Sequence, residues 1–371
     1  MEECYAEGIR EYVTRIGFAS PAPQSGSSKT RGVRTGVAEA RQRMLRGSVA
    51  LADVVGRQIY YGIKTGLNEA FVVDRATRDR LVDEDSASAD VIKPLLAGDD
   101  VRRYEVHGRE RYLLYIPWHF PLQADASITG ASRKAEEAFR QRCPAVYHHL
   151  HHHKGALATR NRAETGIRYE WYALQRFGAE YPGAFDKPKI IYPQIMMEPR
   201  FHFDAARYYT NQKCFIIVRQ DDFLLGVLNS SQVWEYLKAS VVGFGDPEHG
   251  GRLEPRVEDI LAIPVPSASP AERCLIAGLS SAAQRLHGAR RRRVEGFLHD
   301  IGTSPAESSS KNMLEQPWNT KRCTDDYFSK KAKGYPLKLL SDVHAETTAM
   351  TDEILKVESE IDERVKALYG L

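Results

Sequence analysis

The sequence predicts a mixed α+β protein with a helical C-terminal third, and two patterns support this fold class. Short runs of β-branched and aromatic residues, separated by Gly, Pro and Asp, continue to about residue 266 and are typical of strands. After that point, apolar residues recur three and four positions apart, as they do on one face of a helix. We therefore expect irregular sheets first and long helices last.

The same patterns divide the chain into three predicted regions. Residues 1–47 are expected to form a helical lead-in with a flexible loop from Ser20 to Ser28, which is too small and polar to order itself. Residues 48–266 are expected to form the mixed, β-rich domain, and residues 267–371 a helical region.

Individual elements of the mixed domain can also be predicted. Strands are expected over residues 58–61, 70–73, 112–116, 189–192 and 214–218. Helices are expected over residues 132–161 and 223–239, the second because its Leu and Val residues have helical spacing.

The helical region begins at Ser269 and Pro270, which fit a cap and a first helical position. Its final helix carries an apolar stripe of Met350, Ile354, Val357, Ile361, Val365 and Leu368. Such a stripe needs a partner helix, either in the same chain or on another subunit, and the second alternative includes a helix-mediated dimer.

Composition excludes several classes of protein. An apolar content of 42% and a formal charge of +3 indicate a soluble globular protein rather than a polycation. Five scattered cysteines without a Cys-x-x-Cys pair indicate a reducing cytoplasm and argue against a zinc finger. No apolar run is long enough to span a membrane, so we expect no membrane partner and a cytoplasmic location.

The motifs of common DNA-processing active sites are missing from the sequence. It contains no Asn/Asp-Pro-Pro-aromatic tetrapeptide, no Glu-x-Lys, and no Gly-x-x-x-x-Gly-Lys-Ser/Thr. A histidine cluster from His148 to His153 could place two imidazoles on one helical face, but no acid is spaced as a third ligand. We therefore predict no catalytic residue and no metal site, and interpret the cluster as a solvated helix face.

The most distinctive segment runs from Tyr61 to Asp74. Two glycines four positions apart flank Lys64 and Thr65, which predicts an exposed turn between strands. Lys64 can approach a phosphate, while Thr65 and Asn68 supply neutral hydrogen-bond donors. The alternative is a hairpin whose polar residues only face water.

With this segment, others in the same order resemble the target-recognition domain of Taq-type adenine-specific DNA methyltransferases and of fused type II restriction–modification enzymes. These segments are residues 92–104, 112–117, 169–174, 187–193, 224–231, 263–266 and 360–371. The resemblance implies sequence-specific recognition of double-stranded DNA. It also implies that a separate methyltransferase domain or subunit supplies the catalysis and binds S-adenosylmethionine, so no cofactor is expected in this chain.

Two other functions remain open at this stage: a complete DNA-cleaving or DNA-modifying enzyme with an unrecognised active site, and a degenerate fragment without function. A methyltransferase gene immediately upstream would favour recognition, whereas metal-dependent cleavage of plasmid DNA by the pure chain would favour an enzyme. By resemblance to the specificity subunits of type I restriction systems, the C-terminal helices are expected to act as a spacer. The alternative is a docking surface for the catalytic subunit.

Candidate DNA-reading residues are those that can donate to phosphates or base edges from loops between strands. They are Lys64, Thr65, Asn68, Arg160, Arg162, Arg168, Tyr169, Gln194, Arg200 and His202. Each has a structural alternative: Arg168 could pair with Glu164 or Glu170, and Tyr169 could belong to the core. The run Arg290–Arg293 is either a phosphate clamp or a solvated helix end.

Overall fold

The computed structural model of the protein describes residues 39–107, 110–181, 183–244, 251–300 and 337–371. Most of the lead-in predicted over residues 1–47 lies outside the described residues. The part that is described is helical over residues 39–45.

Strands and helices alternate irregularly through the chain. The strands are β1 (Ser48–Ala50), β2 (Ile59–Tyr61), β3 (Val72–Asp74), β4 (Ile92–Leu96), β5 (Arg111–Leu114), β6 (Lys189–Pro193), β7 (His202–Asp204), β8 (Tyr209–Thr210), β9 (Cys214–Ile217), β10 (Gly243–Phe244), β11 (Arg252–Leu253) and β12 (Pro264–Pro266). The helices are α1 (Leu51–Val55), α2 (Asn68–Phe71), α3 (Arg75–Glu84), α4 (Arg133–Arg142), α5 (Pro144–His151), α6 (Lys154–Thr159), α7 (Asp222–Leu228), α8 (Ser231–Ser240), α9 (Val257–Leu261), α10 (Pro270–Asp300) and α11 (Leu337–Leu368).

Two four-stranded sheets form the mixed part of the molecule. One has the order β2-β9-β6-β7 and is antiparallel throughout, while the other has the order β3-β5-β4-β8 and pairs β4 with β8 in parallel. Two antiparallel ribbons, β1-β12 and β10-β11, complete the pairing. The predicted α+β class is thus confirmed, and each of the five segments predicted as a strand contains one, although Ala70 and Phe71 of the segment 70–73 belong to helix α2.

The apolar residues form two cores. One packs helices α4 to α6 against the sheet of β3, β5, β4 and β8, and includes Phe71, Leu113 and Tyr172. The other joins the antiparallel sheet to α7, α10 and α11, and includes Ile217 and Ile361. The C-terminal helices therefore share a hydrophobic core with the mixed part of the chain.

The predicted apolar stripe of the last helix has its partner within the chain. Ile354, Ile361 and Val365 are buried, and α11 packs along α10. Helix α7 lies close to both, because a Cβ atom on Gly226 would lie 2.4 Å from the Ser280 hydroxyl of α10 and 3.7 Å from the Ile361 side chain of α11. None of the helices in the described ranges is long and apolar enough to cross a membrane.

A buried group of charges lies where the mixed part meets α10 and α11. This junction cluster consists of Arg103, Glu105, His107, His287 and Glu358. His287 Nε2 lies 2.9 Å from Glu358 Oε1, His107 Nε2 lies 2.8 Å from Glu105 Oε1, and Arg103 Nη1 lies 3.0 Å from Glu358 Oε2. Each buried charge therefore has an opposite charge beside it.

The pKa values of the junction cluster follow from this pairing. Burial opposes the charged form of His287, but the nearby carboxylates of Glu105, 3.9 Å from Nδ1, and Glu358, hydrogen-bonded to Nε2, outweigh it and raise the pKa of the imidazole. Burial likewise raises the pKa of Glu358, but Arg103 and His287 outweigh it and lower the pKa below its ordinary value. The cluster therefore favours a protonated His287 between ionised carboxylates.

Candidate nucleic-acid interface

The turn after β2 is held rigidly against its neighbours by backbone hydrogen bonds. The Ile63 N–H donates to the carbonyl of Thr210 at 2.7 Å, and Lys64 exchanges two backbone hydrogen bonds of 3.0 Å with Arg176. Only glycine fits at position 62, since a Cβ atom there would lie 1.9 Å from the carbonyl oxygen of Asn211. The side chain of Lys64 is left exposed on a fixed backbone.

The two neutral donors predicted in this turn differ in their surroundings. Thr65 is buried, and its hydroxyl donates to Asn68 Oδ1 at 2.6 Å. Asn68 is exposed at the start of α2, with its amide nitrogen turned away from that bond. Within the turn, Lys64 and Asn68 are therefore accessible to a ligand, whereas Thr65 orients Asn68.

Arg160 supports the Lys64 turn from the interior side. Its guanidinium donates to the Thr65 carbonyl at 2.9 Å and also to the carbonyl of Ala173. The same group lies over the rings of Phe71 and Tyr169, at 5.4 and 5.7 Å from their centroids. The guanidinium therefore interacts with groups inside the protein, and burial lowers its pKa.

Residues 161–169 form a second turn beside the first. Glu164 Oε1 accepts from Arg168 at 2.9 Å and Glu164 Oε2 accepts from Arg176 at 2.9 Å, so one carboxylate holds two arginines. Tyr169 is fully buried and stacks on Trp118 with ring centroids 4.9 Å apart, which places it in the interior and not at the surface. Ile167 is 62% exposed at the tip of the turn.

Four exposed cations lie on these two turns and on the segment that pairs with Lys64, and we call this set the arginine face. Its members are Lys64, Arg162, Arg168 and Arg176. Arg176 was not among the residues predicted from the sequence. Its contact with Lys64 joins positions far apart in the chain, and the only local signal was its place two residues after the resembling segment 169–174.

The electrostatics of the arginine face are set by a single carboxylate. Arg176 and then Arg168 hold the pKa of Glu164 below its ordinary value, so this carboxylate stays ionised at neutral pH. It orients two guanidinium groups without cancelling the excess positive charge. A surface of this kind attracts polyanions, and arginine can also bind the acceptor edge of a base.

The remaining predicted readers have other partners. Gln194 Nε2 donates to Glu254 at 2.6 Å, and Arg200 donates to Glu198 at 2.9 Å. His202 Nδ1 lies 3.1 Å from the Tyr104 carbonyl, and burial lowers the pKa of its imidazole, which favours the neutral form. The structure does not join these three residues to the arginine face.

Two other charged segments are only partly packed against the protein. Arg292 is exposed, and so are His148, His151 and His152, which agrees with a largely solvated helix face in the histidine cluster. In the run Arg290–Arg293, Arg290 donates to the Thr351 hydroxyl at 3.0 Å, Arg291 pairs with Glu295 at 2.5 Å, and Arg293 pairs with Glu346. In the histidine cluster, His149 Nε2 lies 3.1 Å from the Ala70 carbonyl. Among the described residues, no group of three or more His, Cys, Asp or Glu side chains is arranged to hold a metal ion.

Comparison with known proteins gives this geometry a context. Residues 93–243 match the TaqI-like C-terminal specificity domain. This part of the chain is therefore similar to a TaqI-like specificity domain. Arg162, Arg168 and Arg176 lie within the matched residues, and Lys64 lies before them, joined to the domain by its backbone bonds to Arg176.

Similar proteins are longer than this chain. The type II methyltransferase M.BanIII of Aneurinibacillus aneurinilyticus is 24% identical over 213 residues, which are 56% of this chain and 34% of that protein. The chain therefore spans about a third of the length of this relative.

Two solved structures are also similar. The type IIL restriction-modification enzyme MmeI in complex with DNA has a TM-score of 0.42 at 14% identity, with 80% of this chain and 36% of that chain covered. The type IIG restriction endonuclease BpuSI has a TM-score of 0.38 at 10% identity, with 91% of this chain and 33% of that chain covered.

Proposed function

We propose that this chain recognises a specific sequence in double-stranded DNA as the specificity part of an adenine-N6 methyltransferase or restriction–modification system. The match of residues 93–243 to a TaqI-like specificity domain is the observation that carries the proposal. The arginine face supplies a surface on that domain with the required charge.

In this proposal, binding has two components. Lys64 and the arginines contact phosphates, which contributes affinity that depends on salt but carries little sequence information. Arginine and amide side chains on the same face read base edges in the major groove, at roughly 1–3 kcal/mol of discrimination for each good bidentate pair. Arg162, with no ion-pair partner among the described residues, and Asn68 are the side chains best placed for such readout.

The proposed partner is a methyltransferase domain or subunit that binds S-adenosylmethionine and carries out the transfer. Similarity to the methyltransferase M.BanIII, of which this chain covers 34%, supports such a partner. A cytoplasmic location, where this partner and the DNA would be met, is part of the same proposal. Docking of the partner on the C-terminal helices, or a dimer through them, stays a prediction.

The test is selection of bound duplexes from a random-sequence pool by this chain alone, at low and near-physiological salt. We expect enrichment of one short motif that survives the higher salt, because base contacts lose less affinity with salt than phosphate contacts. Binding that is blind to sequence and disappears with salt would contradict the proposal. Metal-dependent cleavage of plasmid DNA by the pure chain would instead support an enzyme.

A further inference from the structure

A pocket of about 210 Å³ lies beside the arginine face, between the Lys64 turn and the sheet of β3, β5, β4 and β8. This volume is far larger than the ~10–15 Å³ that one water molecule needs. Its apolar walls include Ile63, Leu95 and Leu113, and its polar lining includes Asn68, Arg111 and Asn211. Asn68 also belongs to the Lys64 turn, so the pocket adjoins the arginine face.

The amide groups in this pocket have their oxygens occupied and their nitrogens available. Asn211 Oδ1 accepts from the backbone N–H of Lys213 at 3.0 Å, and this donor fixes which end of the amide is oxygen. Asn68 Oδ1 accepts from the Thr65 hydroxyl at 2.6 Å. Neither Nδ2 group has a hydrogen-bond partner among the described residues, so both are free to donate to a ligand.

The charge in the pocket is balanced. The guanidinium of Arg111 pairs with Asp100, whose carboxylate also accepts from the backbone N–H of Ala97 at 2.7 Å. The pocket therefore combines apolar walls, a neutralised cation and uncharged donors. This combination favours a flat, neutral ligand with several acceptors over a phosphate, which would need an unbalanced positive charge.

We propose that this pocket holds a single nucleobase turned out of the DNA stack, with its carbonyl oxygens facing the amide groups of Asn68 and Asn211. This rests on the proposed function, because DNA bound to the arginine face would bring its bases next to the pocket. The apolar walls contact the faces of the base, as in other sites for extruded bases. Thymine or guanine matches the donors, whereas the exocyclic amine of adenine meets donors and is disfavoured.

Backbone contacts hold both sides of the pocket in place. Asn211 is fixed on one side by the close approach of Gly62 to its backbone, and the Lys64 turn is fixed by its bonds to Arg176. The donors therefore need little reorganisation when a base enters, which reduces the entropic cost of binding.

Free nucleosides test the pocket without DNA. We expect saturable binding of thymidine to the full chain by saturation-transfer NMR, and binding of deoxyadenosine at least about fivefold weaker, the ratio that one net hydrogen bond gives. Inorganic phosphate should not displace thymidine. Displacement by phosphate, or equal binding of all four nucleosides, would overturn the proposal.

Matched variants locate the site. Asn211→Asp keeps the oxygen that accepts from Lys213 but replaces the donor with an acceptor, so thymidine should bind at least about fivefold more weakly. Gln212→Glu makes the same charge change at the exposed neighbouring position and should leave thymidine binding unchanged. Ala97→Leu narrows the pocket without altering a polar group and should also weaken binding. Thymidine binding that responds equally to Asn211→Asp and Gln212→Glu contradicts the assignment.

A duplex experiment shows whether the base comes from DNA. 2-Aminopurine, which brightens when a neighbouring base leaves the stack, is placed beside each thymine or guanine of the selected duplex in turn. One position should brighten with the unmodified chain and with Gln212→Glu, but much less with Asn211→Asp. If thymidine binds but duplex selection returns no motif, the pocket stands and the proposed function fails. If the selection returns a motif but neither nucleoside binding nor brightening is observed, the proposed function stands and the assignment of the pocket fails.

Discussion

The arginine face and the junction cluster are both groups of charges, but they are arranged in opposite ways. In the junction cluster, His287 and Arg103 lie within 3.0 Å of Glu358 carboxylate oxygens, and the three side chains are at most 12% exposed. In the arginine face, exposed cations share the single carboxylate Glu164. The difference indicates that charges serving the fold are balanced and enclosed, while charges left in excess at the surface are available to a ligand.

The largest expected effect comes from removing a charge from the junction cluster. Glu358→Ala leaves Arg103 and His287 buried without their carboxylate and should lower the free energy of unfolding by about 3–5 kcal/mol, measured by urea denaturation. Glu353→Ala on the same helix removes an exposed carboxylate and serves as the control, with an expected change below about 0.5 kcal/mol. Equal effects of the two variants would show that the cluster does not stabilise the junction.

A smaller effect is expected at Arg160, which lies under the arginine face but donates inwards. Arg160→Met leaves the carbonyls of Thr65 and Ala173 without this donor and should cost roughly 1–3 kcal/mol of unfolding free energy. Thermal or urea unfolding measures it, with Arg162→Met as the exposed control. If Arg160→Met leaves the free energy of unfolding unchanged, Arg160 does not hold the turn and belongs with the exposed surface cations.

The pH dependence of stability provides a second test of the junction cluster. The pKa of His287 is raised in the folded protein, so its charge stabilises the fold fully below its unfolded pKa, and this contribution is lost as pH rises through the folded pKa. The carboxylates of Glu105 and Glu358 have lowered pKa values and stay ionised through this range.

Comparing His287→Gln with the unmodified chain isolates this contribution from other titrating groups. The destabilisation caused by the variant should be greater near about pH 5.5 than near about pH 8.5. Urea denaturation at both values measures it. A difference that is constant with pH, or that grows towards alkaline pH, would mean that His287 is neutral in the cluster.

The smallest effect on stability is expected at the arginine face itself. Lys64→Gln should change the free energy of unfolding by less than about 0.5 kcal/mol, since the side chain is exposed. The same variant should reduce the slope of log affinity for DNA against log salt by about 0.9, as expected when one phosphate contact is lost. An unchanged slope would place Lys64 outside the DNA contact.

Much of the fold could be predicted because its signals are local. The strands are marked by short runs of β-branched and aromatic residues and the stripe of α11 by its helical spacing, and each predicted segment contains the expected element. The roles of Arg160 and Arg162 could not be separated in this way, because they stand two positions apart with the same chemistry. A carbonyl at Thr65, 95 residues away in sequence, turns one of them inwards.

The same limit applies to the candidate site. Arg176 was missed because its place on the arginine face depends on backbone pairing with Lys64. Tyr169 and Thr65 were predicted as readers from their neighbours in sequence, but their burial depends on Trp118 and Arg160, which come from distant segments. The sequence thus indicates which loops form the face, and the tertiary contacts decide which side chains reach its surface.

The claim that the arginine face binds DNA is tested most directly by two matched arginine variants. Arg168 and Arg140 are 59% and 55% exposed, and each donates to a nearby glutamate on its own segment at 2.9 Å. Affinity for the selected duplex should fall roughly tenfold for Arg168→Gln, the loss of one charge-assisted hydrogen bond, and stay unchanged for Arg140→Gln. Equal affinities for the two variants would contradict the assignment of this face to DNA.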